Sequence, residues 1–102
     1  MNKANVLVNG IFAGILEKRD KDNYVFTYDE HYKGPPVSLT MPIKQKRYDY
    51  DKFPPFFEGL LPEGDMLEAL LRKYKLDKKD YFTQLLKVGR DVVGAVTIEE
   101  LE

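Results

Sequence analysis

The sequence predicts an α+β fold, a small antiparallel sheet or partial barrel of about five strands with two helices packed after the fourth strand. Three observations predict this class. Short β-branched and aromatic segments fill the chain up to residue 41. Apolar residues recur at helical spacing from residue 66 to residue 86. Between these halves lies FPPFFEGLLP (residues 53–62), whose prolines and phenylalanines we expect to join the sheet to the helices.

Length and composition predict a single domain over residues 1–102. The chain has 43% apolar and 13% aromatic residues, a net charge of −1 and no cysteine. This length supports one hydrophobic core. The charge gives no general attraction to nucleic acid or to an anionic membrane, and the lack of cysteine excludes a disulfide scaffold and a thiolate site. No apolar run reaches membrane-span length and no secretory signal is present, so we expect a cytoplasmic protein.

An Asn9-Gly10 dipeptide predicts an opening hairpin. It separates the apolar runs 6–8 and 11–16, and both residues tolerate the positive φ of a type I′ turn. We expect residues 17–23 to form a charged loop and residues 24–28 to form the third strand.

The fourth strand is predicted at residues 37–41, where Val37, Leu39 and Met41 alternate onto one face. Pro42 would end the pairing or place this strand at an edge. Residues 44–52 are interpreted as a polar connection.

Two helices are predicted after Pro62, which suits the first turn of a helix. The first carries apolar residues at helical spacing on one face: Met66, Leu67, Leu70, Leu71 and Tyr74.

The second helix has Asp77 as its expected N-cap, Asp80 in its first turn and Gly89 as its C′ residue. Leu76 and Tyr81 stand where a hydrophobic staple would place them. The buried side is expected to comprise Tyr81, Phe82, Leu85 and Leu86, and a last strand follows with Val92, Val93, Ala95, Val96 and Ile98.

The residues predict no catalytic, cofactor-binding or metal site. The single histidine, His31, lies in a charged loop with only Asp29 and Glu30 as nearby ligands. The carboxylates Glu58, Glu63 and Asp65 are better explained by the dipole at a helix start than by acid–base catalysis.

The basic run 44–47 could touch phosphate. Asp49 and Asp51 follow it directly, so a solvated connection is favoured over a nucleic-acid site.

Four segments in order carry a family resemblance: VNG with GIL (residues 8–10 and 14–16), PVSLTMP (36–42), FFEGLLPEG (56–64) and GRDVVGAV (89–96). Together they resemble the N-terminal subdomain of the HipA family of bacterial serine/threonine-kinase toxins. In a full toxin of that family, a second N-terminal subdomain and a kinase domain follow and carry the ATP site and the catalytic aspartate. This sequence contains neither, so the resemblance implies a protein that is not an enzyme and needs no cofactor.

Within the family the chain is most similar to the small HipS-like antitoxins of tripartite HipBST toxin–antitoxin systems. That resemblance implies a kinase inhibitor that binds a HipA-like (HipT) kinase through protein–protein interaction. It also allows for a helix-turn-helix, HipB-like protein in a ternary complex. It implies no direct nucleic-acid, membrane or small-molecule partner. Inhibition could proceed by active-site occlusion or by restraint of a mobile element.

The kinase interface is predicted at the turn that enters the first helix. The FFEGLLPEG segment of the family often precedes a large aromatic residue, whereas here Asp65 and then Met66 follow. Met66 is therefore the nearest apolar candidate, since its thioether adapts to irregular pockets. Leu60 and Leu61 could instead be core residues. The predicted interface residues are Leu61, Pro62, Glu63, Gly64, Asp65 and Met66.

Two other interpretations stay open. The chain could be a structural subdomain excised from a full-length HipA-type kinase, although the start at Met1 and the charged end Glu99–Glu102 favour a complete small protein. It could also be a DNA-binding accessory protein that uses residues 44–47.

Overall fold

The computed structural model describes residues 2–92 and 94–101. Within these residues the chain forms one open antiparallel sheet of five strands in the order β4-β3-β2-β1-β5, so the predicted α+β class is confirmed and the sheet is not closed into a barrel. The strands are β1 (Lys3–Val8), β2 (Ile11–Lys18), β3 (Tyr24–Tyr28), β4 (Arg47–Tyr50) and β5 (Val96–Glu100).

The opening hairpin is confirmed. Asn9 and Gly10 have φ angles of 52° and 81°, the left-handed values that a type I′ turn requires. β2 extends to Lys18, so the charged loop begins two residues later than predicted. The hairpin lies at the centre of the sheet, because β3 pairs with β2 and β5 pairs with β1.

The predicted fourth strand at residues 37–41 is wrong, and the polar connection supplies β4 instead. The Tyr28 hydroxyl accepts a hydrogen bond from the Val37 N–H at 2.8 Å and donates one to the Met41 carbonyl. The Met41 N–H donates to the Ser38 carbonyl at 3.0 Å, so these backbone groups are satisfied by a side chain and by a local turn rather than by a strand ladder. Val37 and Met41 are buried as the alternation suggested, but Leu39 is 93% exposed.

Three helices lie in the described residues: α1 (Pro55–Glu58), α2 (Gly64–Tyr74) and α3 (Tyr81–Val88). α2 and α3 are the two predicted helices. α1 is an additional single turn, with Pro55 at its first position. Pro62 precedes α2 rather than forming its first turn.

The predicted N-cap of α3 is wrong by three residues. Asp80 is the N-cap, and its side chain accepts from the Thr83 N–H at 3.2 Å. Asp77 accepts from the Lys79 N–H at 2.8 Å and so shapes the turn before the helix. Both aspartates cap backbone groups, and the sequence alone did not show which one the helix follows.

The core lies between the sheet and helices α1 and α3. Phe57 of α1 and Leu85 of α3 are fully buried, and the Phe57 ring lies 6.1 Å from that of Phe26 on β3. Phe53, just before α1, meets Tyr24 edge-on at 5.2 Å. α1 and α3 therefore anchor the helical layer to the sheet.

Gly89 ends α3 for a reason other than the predicted one. Its φ of −57° is right-handed, so it is not a left-handed C′ residue. A Cβ atom there would lie 2.5 Å from the Ile98 Cβ, and the Gly89 carbonyl accepts from the Ile98 N–H at 2.9 Å. The glycine thus allows the end of α3 to touch β5. β5 begins at Val96, four residues after the predicted start; Val93 and Glu102 lie outside the described residues.

Candidate functional site

α2 is amphipathic, yet its apolar face is only partly covered by the rest of the chain. Leu67, Leu70 and Leu71 are half-buried, and Met66 is 74% exposed. Within the fully described range Gly64–Tyr74, no residue is buried. A surface helix normally packs its apolar stripe against the core, so this partly exposed face is a candidate contact surface.

A groove of about 410 Å³ runs beside α2. One wall is formed by α2 and the turn before it, and the other by the end of α3 and the residues after it. Of its described lining residues, only Lys73 and Asp91 are charged. The lining consists of Leu60, Pro62, Met66, Ala69, Leu70, Lys73, Val88, Asp91 and Val92, and these residues define what we call the α2 groove.

The six predicted interface residues are contiguous in sequence, but they lie in different environments in the structure. Pro62 and Met66 line the α2 groove. Leu61 is half-buried and packs against the core, as the core interpretation suggested, whereas Leu60 both packs there and lines the groove. Glu63, Gly64 and Asp65 are exposed where α2 begins.

The other residues that line the groove were not among the predicted interface residues. Ala69, Leu70 and Lys73 continue the spacing that starts at Met66, and this period was visible in the sequence. Val88 and Val92, on the opposite wall, lie more than 20 residues away from Met66 along the chain. No local pattern could have assigned them to the same surface.

A surface contact links α2 to α3. The Tyr74 ring lies near two ammonium groups, since the Nζ atoms of Lys73 and Lys87 are each 5.2 Å from the ring centroid. At exposed sites such cation–π contacts contribute about 0.5–1 kcal/mol each. The C-terminal end of α2 is therefore held near α3 by contacts weaker than core packing.

Charge is distributed unequally along the α2 groove. Glu63 and Asp65 lie at the start of α2. Arg72 and Lys73 lie in its last turn, next to Lys87 of α3. α2, which forms one wall of the groove, thus runs from an acidic start to a basic end, and this arrangement matches its own helix dipole.

The other candidate residues lie elsewhere. The His31 side chain is exposed, with its Nε2 atom 3.5 Å from Glu30 Oε1. Arg47 Nη2 lies 3.1 Å from Asp49 Oδ1, so the basic run ends in an ion pair on β4. Among residues 2–92 and 94–101, no three acidic, histidine or cysteine side chains gather as a metal site would require. In the same residues no helix has the length and apolarity needed to cross a membrane.

Comparison with known proteins identifies the architecture. The family model described as the HipA N-terminal domain matches residues 4–99. A solved structure described as the N-terminal domain of HipA toxin superimposes with a TM-score of 0.75 and 33% identity. That superposition covers 100% of this chain and 96% of the other.

This chain matches two relatives over very different shares of their lengths. An uncharacterized protein of Haemophilus influenzae is 34% identical over 100 residues, which cover 98% of this chain and 93% of that protein. A putative kinase of Sinorhizobium fredii is 33% identical over 88 residues, which cover 76% of this chain and 22% of the kinase. The same type of domain is therefore similar to a short protein and to part of a long one.

Proposed function

The chain belongs to the HipA N-terminal domain family, and from that premise we propose that it is an antitoxin that binds a HipA-like (HipT-type) serine/threonine kinase and holds it inactive. The observation that carries this proposal is the partly exposed apolar face of α2 beside the α2 groove. We propose that the protein acts in the cytoplasm, performs no catalysis itself and inhibits its partner by binding to it.

The proposed contact surface is centred on Pro62 and Met66, with Glu63, Gly64 and Asp65 at its acidic rim and Leu61 supporting it from the core side. Met66 is the most exposed large apolar residue of α2, and its flexible side chain can fill an irregular pocket. Burying such residues against a partner releases water from apolar surface and so favours association.

Inhibition needs more than binding. A partner that binds the active and inactive kinase equally well shifts no equilibrium between them. Each tenfold of bias towards the inactive form requires about 1.4 kcal/mol of preferential binding. Because the antitoxin and the kinase are separate chains, the extent of inhibition also depends on their concentrations.

The direct test is co-expression with the kinase encoded beside this chain, scoring growth and co-purification together. Growth rescue with a stable complex is the expected result. A stable complex without rescue would make the chain a scaffold and overturn the antitoxin role. Absence of any complex would overturn the binding itself. Adding a helix-turn-helix, HipB-like protein to the same co-expression would test for a ternary complex.

A matched pair of variants locates the contact. Met66→Asp introduces one charge on the proposed surface, and Leu39→Asp makes the same kind of change at another exposed apolar residue, in the loop before β4. Neither side chain is buried, so both variants should fold. Met66→Asp should weaken kinase binding at least tenfold and abolish rescue, whereas Leu39→Asp should leave both intact. Equal binding by the two variants would contradict the proposed surface.

A second function has one observation in its favour. The Sinorhizobium fredii kinase is matched over 22% of its length, so a domain of this kind can also form part of a longer protein. The alternative proposal is that this chain is a structural subdomain of a full-length kinase. The genomic reading frame tests it, because continuation beyond Glu102 into a kinase domain would favour the subdomain and a stop codon there would favour the antitoxin.

A further inference from the structure

We infer that the α2 groove receives an amphipathic helix of the partner kinase that runs antiparallel to α2, with acidic residues towards the N-terminus of that helix and basic residues towards its C-terminus. The identity of the partner rests on the proposed function. The conclusion that the partner element is a helix, its direction and its charge pattern are inferred from the shape of the α2 groove and from the charges at the two ends of α2.

The shape of the groove favours a helix. α2 has 11 residues and is therefore about 16 Å long, which is three turns. Its groove-facing residues Met66, Ala69, Leu70 and Lys73 follow the spacing at which one helix packs against another. A partner helix of similar length can place apolar side chains at i, i+3, i+4 and i+7 between these residues and the opposite wall.

The chemistry of the walls also favours a helix over a strand. In the described residues, both walls are built from helices and their flanking turns, so side chains rather than a sheet edge line the groove. An extended peptide would leave its backbone N–H and C=O groups without strand partners against this apolar surface, at a cost in free energy. A helix satisfies those groups internally and presents only side chains.

The charges determine the direction. Glu63 and Asp65 make the start of α2 acidic, and Arg72, Lys73 and Lys87 make the other end basic. Because of the helix dipole, helices commonly carry acidic residues in the first turn and basic residues in the last turn. An antiparallel partner helix then opposes unlike charges at both ends, whereas a parallel one opposes like charges. Among the described residues that line the groove itself, the charged ones are Lys73 and Asp91, so the direction rests on the residues that flank it at the two ends of α2.

Crosslinking can measure the direction. The chain has no cysteine, so Glu63→Cys and Lys73→Cys each create a unique attachment point for a short photocrosslinker at opposite ends of α2. Each labelled variant is mixed with the cognate kinase and irradiated, and the linked kinase residue is identified by mass spectrometry. We expect both links to fall in one kinase helix, with the Lys73→Cys link about ten residues N-terminal to the Glu63→Cys link.

A charge exchange measures the electrostatics. The double variant Asp65→Lys/Lys73→Asp keeps the net charge and leaves the apolar lining in place. We expect its affinity for the kinase to fall at least tenfold at low salt, and the deficit to shrink in high salt because screening weakens exposed charges. Glu30→Lys/Lys33→Glu makes the same exchange in an exposed loop and should bind within twofold of the unmodified chain. Circular dichroism would verify that α2 remains helical in both.

The outcomes separate this inference from the proposed function. If the kinase binds and is inhibited but the crosslinks fall outside a single helix, or on a second copy of this chain, the inference is overturned and the antitoxin role stands. Links in the reverse order, or no effect of the charge exchange, would overturn the antiparallel arrangement. If no complex forms with the unmodified chain, the proposed function fails and this inference fails with it.

Discussion

At the scale of single residues, Tyr28 connects β3 to the loop before β4. Its ring meets Phe26 edge-on at 4.8 Å and lies parallel to Tyr32 at 6.1 Å. Its hydroxyl bonds to the backbone of both Val37 and Met41. One side chain of β3 thereby holds the loop before β4 against the core, and that loop has no need to form a strand.

Tyr28→Phe should lower the free energy of unfolding by about 1–3 kcal/mol. The change keeps the ring but leaves a buried N–H and a buried carbonyl without their hydroxyl partner. Urea denaturation would measure this loss. Tyr74→Phe, which removes a hydroxyl from an exposed ring on α2, serves as the control and should stay within about 0.5 kcal/mol of the unmodified chain. Equal losses in the two variants would show that the loop does not depend on Tyr28.

At the scale of elements, the turn between α2 and α3 is organised by side chains from the helix that follows it. Gln84 is buried, and its Nε2 atom donates to the carbonyls of Asp77 at 3.1 Å and Lys78 at 3.0 Å. Asp80 caps the helix from its N-terminal side. The start of α3 is therefore fixed at the residue whose side chain meets the free N–H groups of the first turn.

Asp80→Ala should cost about 1 kcal/mol in the free energy of unfolding, the usual loss for an N-cap carboxylate. Asp77→Ala removes only the bond from the Lys79 N–H within the turn and should cost less. Thermal denaturation of both variants makes the comparison. A larger loss for Asp77→Ala would place the cap where the sequence first predicted it.

Helices α2 and α3 should differ in local stability. Because α2 has no buried residue and α3 contributes Phe82, Gln84 and Leu85 to the interior, α2 should open more readily. Hydrogen exchange followed by NMR should show α2 amides exchanging faster than those of α3 and of the central strands β1 and β2. Addition of the kinase should slow exchange in α2 selectively. Equal protection of α2 and α3 in the free chain would contradict this picture.

At the scale of the whole molecule, the buried tyrosines make the protein sensitive to alkaline pH. Burial is the main cause that raises the pKa of Tyr24, Tyr28 and Tyr50 above the ordinary value of 10.0, and the nearby Asp80 carboxylate adds to the effect at Tyr24. A raised pKa in the folded state means that the folded chain holds the phenolic proton more tightly than the unfolded chain does. The resulting stability is complete below the unfolded pKa and is lost as the pH rises through the folded pKa.

The urea midpoint should therefore stay level up to about pH 9 and fall as the pH rises above about 10, where the tyrosines begin to ionise in the unfolded chain. A series of denaturation curves from pH 7 to pH 11.5 would show this. Tyr28→Phe removes one of the contributing groups, so its midpoint should fall less steeply over the same interval. A midpoint independent of pH in the alkaline range would contradict burial of these phenols.

Within the sequence alone, local signals determined the features that depend only on neighbouring residues. The Asn9-Gly10 turn fixed the hairpin because few residues accept the required backbone angles. Helical periodicity identified α2 and α3 because it reflects the geometry of a single element. The FFEGLLPEG run indicated the family and predicted a contact surface at the start of α2, where part of the groove lies.

Only the tertiary structure decided which surfaces are covered. Residues 37–41 alternate like a strand, but the Tyr28 hydroxyl, which lies distant in sequence, bonds to the backbone at both ends of this segment. Residues 47–50 pair with β3 instead. Likewise, the apolar stripe of α2 has the pattern of a buried helix, and yet none of its residues is fully buried. The opposite wall of its groove comes from the end of α3 and the residues after it. Burial and hydrogen-bond partners depend on where distant segments pack, and periodicity along one segment carries no information about that placement.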